Sequence, residues 1–191
     1  RDLSRLAVAL TVIANLSILV YFKYTAFLLS NLNAMTGLNL FIPKITMPIG
    51  ISFFTFQGMS YVLDVFFGHA KAQKNPLNVA LYIALFPQLI AGPIVRYETV
   101  ANEIGNRDEN RSDMASGMIR FIFGLGKKIM IANSMGLVAD TVFAKTPGDL
   151  SVSLAWVGII AYTLQIYFDF SGYSDMAIGL GKIFGFHFLE N

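Results

Sequence analysis

The chain contains no cysteine. Disulfides, thiolate nucleophiles and cysteine-based metal sites are therefore excluded. Histidine is almost as scarce: 191 residues hold two, His69 and His187, too far apart in sequence for a local metal site. Charge is thin as well. Charged residues make up 14% of the chain, against roughly 25% in an average soluble domain. Fourteen basic residues face twelve acidic ones, so neither sign dominates and no nucleic-acid partner is expected. What fills the space is apolar: 55% of the residues are hydrophobic. These deviations point to a polytopic, all-α membrane protein surrounded by membrane lipid.

The few charges parse the chain. Residues 6–22 are uncharged, and one bilayer crossing takes roughly 17–25 residues. Arg1 and Arg5 loosely resemble the start of a signal peptide, but the apolar run is longer than a signal core and no small-residue cleavage site follows. A membrane helix is expected, closed by the aromatic and basic anchor Tyr21, Phe22, Lys23 and Tyr24. A start at Arg1 rather than Met is expected of a piece of a longer protein. Residues 25–43 read as an interfacial continuation and then a loop, and residues 45–63 as the next helix, with Pro48 and Gly50 at its start. Beyond Asp64, "VFFGHAKAQKNP" is polar enough to be a loop.

Residues 75–95 are again uncharged but contain Pro76, Pro87 and Pro93. Proline inside a helix removes a hydrogen bond and clashes with the preceding turn. The expectation is a helix over 76–86, then a broken, re-entrant segment "PQLIAGPIVR". Irregular backbone at membrane depth persists only where protein buries it or a cavity adjoins it. Residues 97–113 form the one hydrophilic linker, expected outside the membrane, with Ser112 or Asp113 capping the next helix. That helix covers 114–143, kinked or tilted near "GLGKK", and Arg120, Gly124 and Lys127 recur at helical spacing, so one face is basic. Residues 150–168 are the last clear crossing. The basic residues fall near several different helix ends, so they do not orient the chain. No internal repeat is present, and residues 1–191 read as a single transmembrane unit.

Two stretches concentrate polar groups against apolar runs. In "QIYFDFSGYSDMAIGLGKIFGF", Asp169 and Tyr173 share a helical face, with Asp175 on the adjacent one. Intramembrane charge costs roughly 2.5–3.5 kcal/mol on insertion scales, so such residues face protein or a water-filled cavity. They are candidates for the lining of a chamber. The alternative is structural: Asp169 caps a break at Ser171–Gly172, and Asp175 pairs with Lys182 or the backbone. Ala177, Gly181 and Gly185 form a small-xxx-small series that lets another helix approach. In "FPQLIAGPIVR", Gln88 and Arg96 flank the break and are candidates for binding a polar or anionic group, or Arg96 is an interface anchor. No residue pattern marks a metal site.

"MPIGISFFTFQ", "FPQLIAGPIVR" and "QIYFDFSGYSDMAIGLGKIFGFHFLEN" occur in that order. Together they resemble the membrane-bound O-acyltransferases, most closely the bacterial branch that acetylates alginate. The resemblance covers most of the chain from Tyr21 onward. It implies a helical membrane enzyme of the bacterial inner membrane, moving an acyl group from a cytoplasmic thioester such as acetyl-CoA to an extracytoplasmic polysaccharide, with extracytoplasmic polysaccharide-acetylation proteins as partners. The family's histidine motifs are similar to "RRWHISLS" and "WHG". Neither is present, His69 and His187 match neither, and no catalytic residue is assigned. The motifs are expected beyond Asn191, which would leave this stretch inactive alone. Two other readings stay open: a transporter or flippase, which also uses broken helices and membrane carboxylates, and a non-catalytic scaffold of a polysaccharide-modification complex.

Overall fold

The computed structural model describes residues 2–89, 92 and 95–190. Among these no strand forms, and every regular element is helical. Three helical stretches are long and apolar enough to cross a membrane: Asp2–Thr36, Arg111–Phe143 and Val152–Ile183. Most of their large apolar side chains point outward, as suits a lipid solvent. The chain divides into two compact units, residues 1–85 with 96–105, and residues 86–95 with 106–191.

The first unit opens with α1 (Asp2–Leu19), a wider π-helical turn (Val20–Tyr24) and α2 (Thr25–Thr36), which run on as one rod. The helix continues past the aromatic and basic anchor at residues 21–24 and gives way to a loop after Thr36, as expected of residues 25–43. A π-turn frees carbonyl oxygens, and the Thr25 hydroxyl donates to those of Val20 and Tyr21, at 3.4 and 2.8 Å. Thr11 and Ser17 satisfy themselves the same way on the carbonyls four residues back. Helix α2 ends at Gly37, whose φ of 70° only glycine adopts readily.

Helix α3 (Ile51–Phe67) starts six residues later than expected, after Gly50 in the left-handed region. Helix α4 (Pro76–Ile83) is capped by Asn75, whose side chain accepts from the Leu77 amide at 3.0 Å. It stops at Ile83, three residues short of the expected end. Pro87 is the cause: its ring would clash with the Ile83 carbonyl one turn back. The hydrophilic stretch 97–113 is not loop throughout. Its first part forms α5 (Tyr97–Gly105), burying Tyr97, Val100 and Ile104 at spacings of three and four. Tyr97 packs edge-on against Tyr61 and Tyr82, at 4.7 and 5.3 Å between ring centres. Burial pushes the Tyr82 phenol up to about 12, with the Asp64 charge adding and the Ser60 hydrogen bond opposing.

The second unit is built on α6 (Arg111–Gly126), a π-turn (Lys127–Ala132), α7 (Asn133–Phe143) and α8 (Val152–Ile183). Asn110, not Ser112 or Asp113, caps α6: its Oδ1 accepts from the Asp113 amide at 2.7 Å. Its Nδ2 meets the Asp113 carboxylate at 2.5 Å, closing a reciprocal cap. Ser151 caps α8. The two long rods pack side by side and antiparallel. Gly117 meets Gly179 and Gly124 meets Gly172, each so closely that a Cβ on Gly117 or Gly124 would lie 2.5 or 2.6 Å from the facing carbonyl oxygen. The π-turn packs an additional residue into one turn, which keeps Lys128, Ala132 and Gly136 facing α8 where an unbroken α-helix would drift away.

Helix α8 corrects the expected break at Ser171–Gly172, because it runs unbroken to Ile183. Gly172 sits there to admit the α6 backbone, not to end a helix. The helix-approach role expected of Ala177, Gly181 and Gly185 is corrected at the two glycines. Ala177 is buried, but Gly181 receives the Phe188 ring rather than a helix. Gly185, with φ 74°, lies past the helix end, and the amide of Phe186 turns back to the Gly181 carbonyl at 2.8 Å.

Candidate functional site

The charged residues of α6 and α8 converge where the two helices cross. Arg120 Nε and Nη2 donate to Asp175 Oδ1 at 3.0 and 2.9 Å. The outer edge of the same guanidinium, Nη1 and Nη2, donates to both carboxylate oxygens of Glu190. Lys127 Nζ donates to Asp175 Oδ2 at 2.5 Å and to Ser171 Oγ at 3.1 Å. Asp175 is thus held by two cations, Arg120 of α6 and Lys127 at the start of the π-turn that continues it, both on the basic face that the sequence pattern marks. The expected partner, Lys182, is not the one used. The reason is registry: the glycine crossings set Arg120 and Lys127 across from Asp175.

These groups border a cavity of about 600 Å3. Arg120, Lys127, Ser171, Ser174, Asp175 and Glu190 give it a polar side, and Ile166, Tyr167 and Phe170 an apolar one. Pockets for small molecules run at roughly 300–1,000 Å3 and combine such walls with a few placed polar groups. The four charges sum to zero. They differ in depth: the Asp175 side chain is 18% exposed and that of Glu190 74%. The hydrogen bond from Arg120 holds Glu190 below the ordinary carboxylate value.

The other sequence candidates are dispersed. Asp169, six residues before Asp175 on α8, pairs with Lys128 on the same helix pair. The Tyr173 hydroxyl donates to the Leu89 carbonyl at 2.6 Å, tying α8 to the segment after Pro87. Gln88 closes a short 3-10 turn (Phe86–Gln88), but its side chain lies outside the described part, as do Ile90, Ala91, Pro93 and Ile94 of the expected re-entrant break. Arg96 is exposed and belongs to the first unit. His187 Nε2 stands 3.3 Å from Asp113 Oδ2. Among the described residues no group of acidic or histidine side chains is placed to hold a metal. Sequence reasoning did not name Arg120, Lys127, Ser174 or Glu190 as site residues. The helical recurrence of Arg120, Gly124 and Lys127 was the signal available.

The model of the MBOAT, membrane-bound O-acyltransferase family matches residues 4–191. The chain belongs to this family. A protein named probable alginate O-acetylase AlgI, from Pseudomonas syringae pv. tomato, is 46% identical over 189 residues, covering 95% of this chain and 36% of that relative. A peptidoglycan O-acetyltransferase of Helicobacter pylori is 36% identical over 207 residues, 94% of this chain and 39% of its own length. A teichoic acid D-alanyltransferase of Bacillus subtilis is 29% identical over 152 residues, 75% of this chain and 37% of its own length. The chain spans a little over a third of the length of the curated relatives it matches. As a member of this family, with helices long enough to cross a bilayer, it is part of a multi-pass membrane protein.

Proposed function

We propose that the protein containing this chain is an O-acetyltransferase of a bacterial inner membrane, acting on an extracytoplasmic polysaccharide such as alginate. The observation that carries the reading is a charged cavity on the flank of a lipid-facing helix pair, in a chain 46% identical to a protein named alginate O-acetylase. The acyl donor is a thioester such as acetyl-CoA, presented from the cytoplasm. A sugar hydroxyl attacks the thioester carbonyl, the carbon–sulfur bond breaks, and the hydroxyl proton passes through a base to the departing thiolate. The base is a histidine of the family motifs, which this chain does not contain. This chain contributes the wall. Arg120 and Lys127 hold Asp175 in one rotamer, and the serines and Tyr167 border the space in which a reactant is oriented. Extracytoplasmic polysaccharide-acetylation proteins take the product strand onward.

The test is chemical. Mass spectrometry of exopolysaccharide from a strain deleted for the full-length gene should show loss of O-acetyl groups, restored by the gene in trans. Unchanged acetylation in the deletion strain overturns the reading.

A further inference from the structure

We propose that the hydroxyls of Ser174 and Ser171 form a donor pair for the carbonyl oxygen of an acyl group held in the cavity beside α6 and α8. The inference rests on the reading of the chain as part of an acetyltransferase.

Hydroxyls inside these helices have a usual partner. Thr11, Thr55, Ser134, Thr141 and Thr163 each donate to the carbonyl four residues back, at 2.7–2.9 Å. Ser171 and Ser174 depart from this habit, although the carbonyls of Tyr167 and Phe170 stand four residues back in the same helix. Ser174 is the sharper case. It is 6% exposed and borders the cavity, and among the described residues its hydroxyl has no hydrogen-bond partner. A buried hydroxyl without a partner costs stability. The helix has a carbonyl to offer Ser174, and the hydroxyl is aimed at the cavity instead.

Ser171 shows what the pair can do. Lys127 Nζ donates to its oxygen at 3.1 Å. With an ammonium on the oxygen, the Ser171 proton points away from Lys127, and the O–H becomes a stronger donor. Ser174 lies three residues further along α8, on the same helix face. The neighbouring cations are engaged, Arg120 on Asp175, and Lys127 on Asp175 and Ser171. The capacity left on this face is therefore uncharged and donating. Ile166 and Phe170 border the same space and suit the apolar part of a ligand. A short apolar group with one uncharged acceptor oxygen is an acyl carbonyl. It brings no proton of its own, whereas a sugar hydroxyl does.

The test is binding to the full-length protein in lipid nanodiscs. The first probe pair is acetyl-CoA and S-ethyl-CoA, in which a methylene replaces the carbonyl. The second is an O-acetylated oligosaccharide and its O-ethyl ether. The carbonyl form should bind about three- to tenfold more tightly, the size of a neutral hydrogen bond. Discrimination in the first pair places the carbonyl of the donor at the serines, and in the second pair that of the product. Ser174→Ala should bind both members of that pair alike, and its melting temperature should equal or exceed that of wild type, because an unpartnered hydroxyl is gone. Misfolding does not produce that combination. Equal binding within both pairs by wild type, or no binding of any probe, overturns the proposal. So does a Ser174→Ala protein that is less stable and discriminates as before, the behaviour of a serine holding a structural water only. The assay needs no acetyl transfer. Discrimination by a protein that leaves its polymer unacetylated removes only the enzymatic reading, and acetyl transfer alongside equal binding removes only the serine site.

Discussion

Residues 152–168 of α8 carry no charge, and Trp156, Ile160 and Tyr167 turn outward at 55–64% exposure. Residues 169–183 of the same helix carry Asp169, Asp175 and Lys182, and bury Gly172, Ser174, Ala177, Ile178, Gly179 and Gly181. The backbone is one continuous helix, so conformation does not separate the halves. Environment does. Seventeen residues rise about 25 Å, close to the roughly 30 Å of a hydrocarbon core, and the first half meets that requirement with side chains that lipid solvates. The second half cannot. Its charges need partners, and its glycines need another backbone. Both come from α6 and the π-turn that continues it, through the Gly117–Gly179 and Gly124–Gly172 crossings and through Arg120 and Lys127. Lipid-facing length and a polar site are thus placed end to end on one element.

The sharpest way to break the comparison is to fill the crossing. Gly124→Leu pushes a side chain into the Gly172 carbonyl and the Met176 amide, backbone atoms that cannot step aside. The expected cost exceeds about 3 kcal/mol, seen as loss of the full-length protein from the membrane on an immunoblot. Gly126→Ala, with nothing within 4 Å, should be tolerated.

A smaller effect compares the halves directly. Ile178, 1% exposed, and Ile160, 55% exposed, lie on one helix. Ile178→Ala should destabilise by about 2–5 kcal/mol, as buried isoleucines do, and Ile160→Ala by under about 0.5 kcal/mol, in line with surface changes. Thermal unfolding in one detergent gives both, and equal losses would erase the distinction.

The smallest effect is a pH dependence. Arg120 depresses the folded-state value of Glu190, so the stability of that link is present above the ordinary carboxylate value of 4.5 and is lost as pH falls through the lower folded value. Unfolding curves of wild type and Glu190→Gln should therefore differ at neutral pH and merge in acid. A difference that persists in acid would mean Glu190 acts through something other than its charge.

Much of this architecture is legible from the sequence. The all-helical class, the order of the apolar runs, the Pro76 helix start and the basic face of α6 all follow from charge spacing and proline position. What was not legible shares one cause: a residue type that serves two physical ends. Gly172 beside Ser171 reads equally as a helix break or as a place for another backbone, and only the facing Gly124 decides between them. Asp175 offered a nearby Lys182 as partner, but the registry of two helices gave it Arg120, 55 residues away. Helix α5 was hidden because its three buried residues stand in a strongly polar stretch. The two π-turns have no composition signal at all.

The central claim is that the polar half of α8 borders a working space rather than only holding the fold. Acetyl incorporation by the full-length protein with Asp175→Asn, measured beside its level in the membrane, tests this most directly. The substitution keeps the shape and some of the hydrogen bonds from Arg120 and Lys127 but removes the charge. The expected result is loss of acetylation at a wild-type membrane level. Normal acetylation, or a protein missing from the membrane, would contradict it.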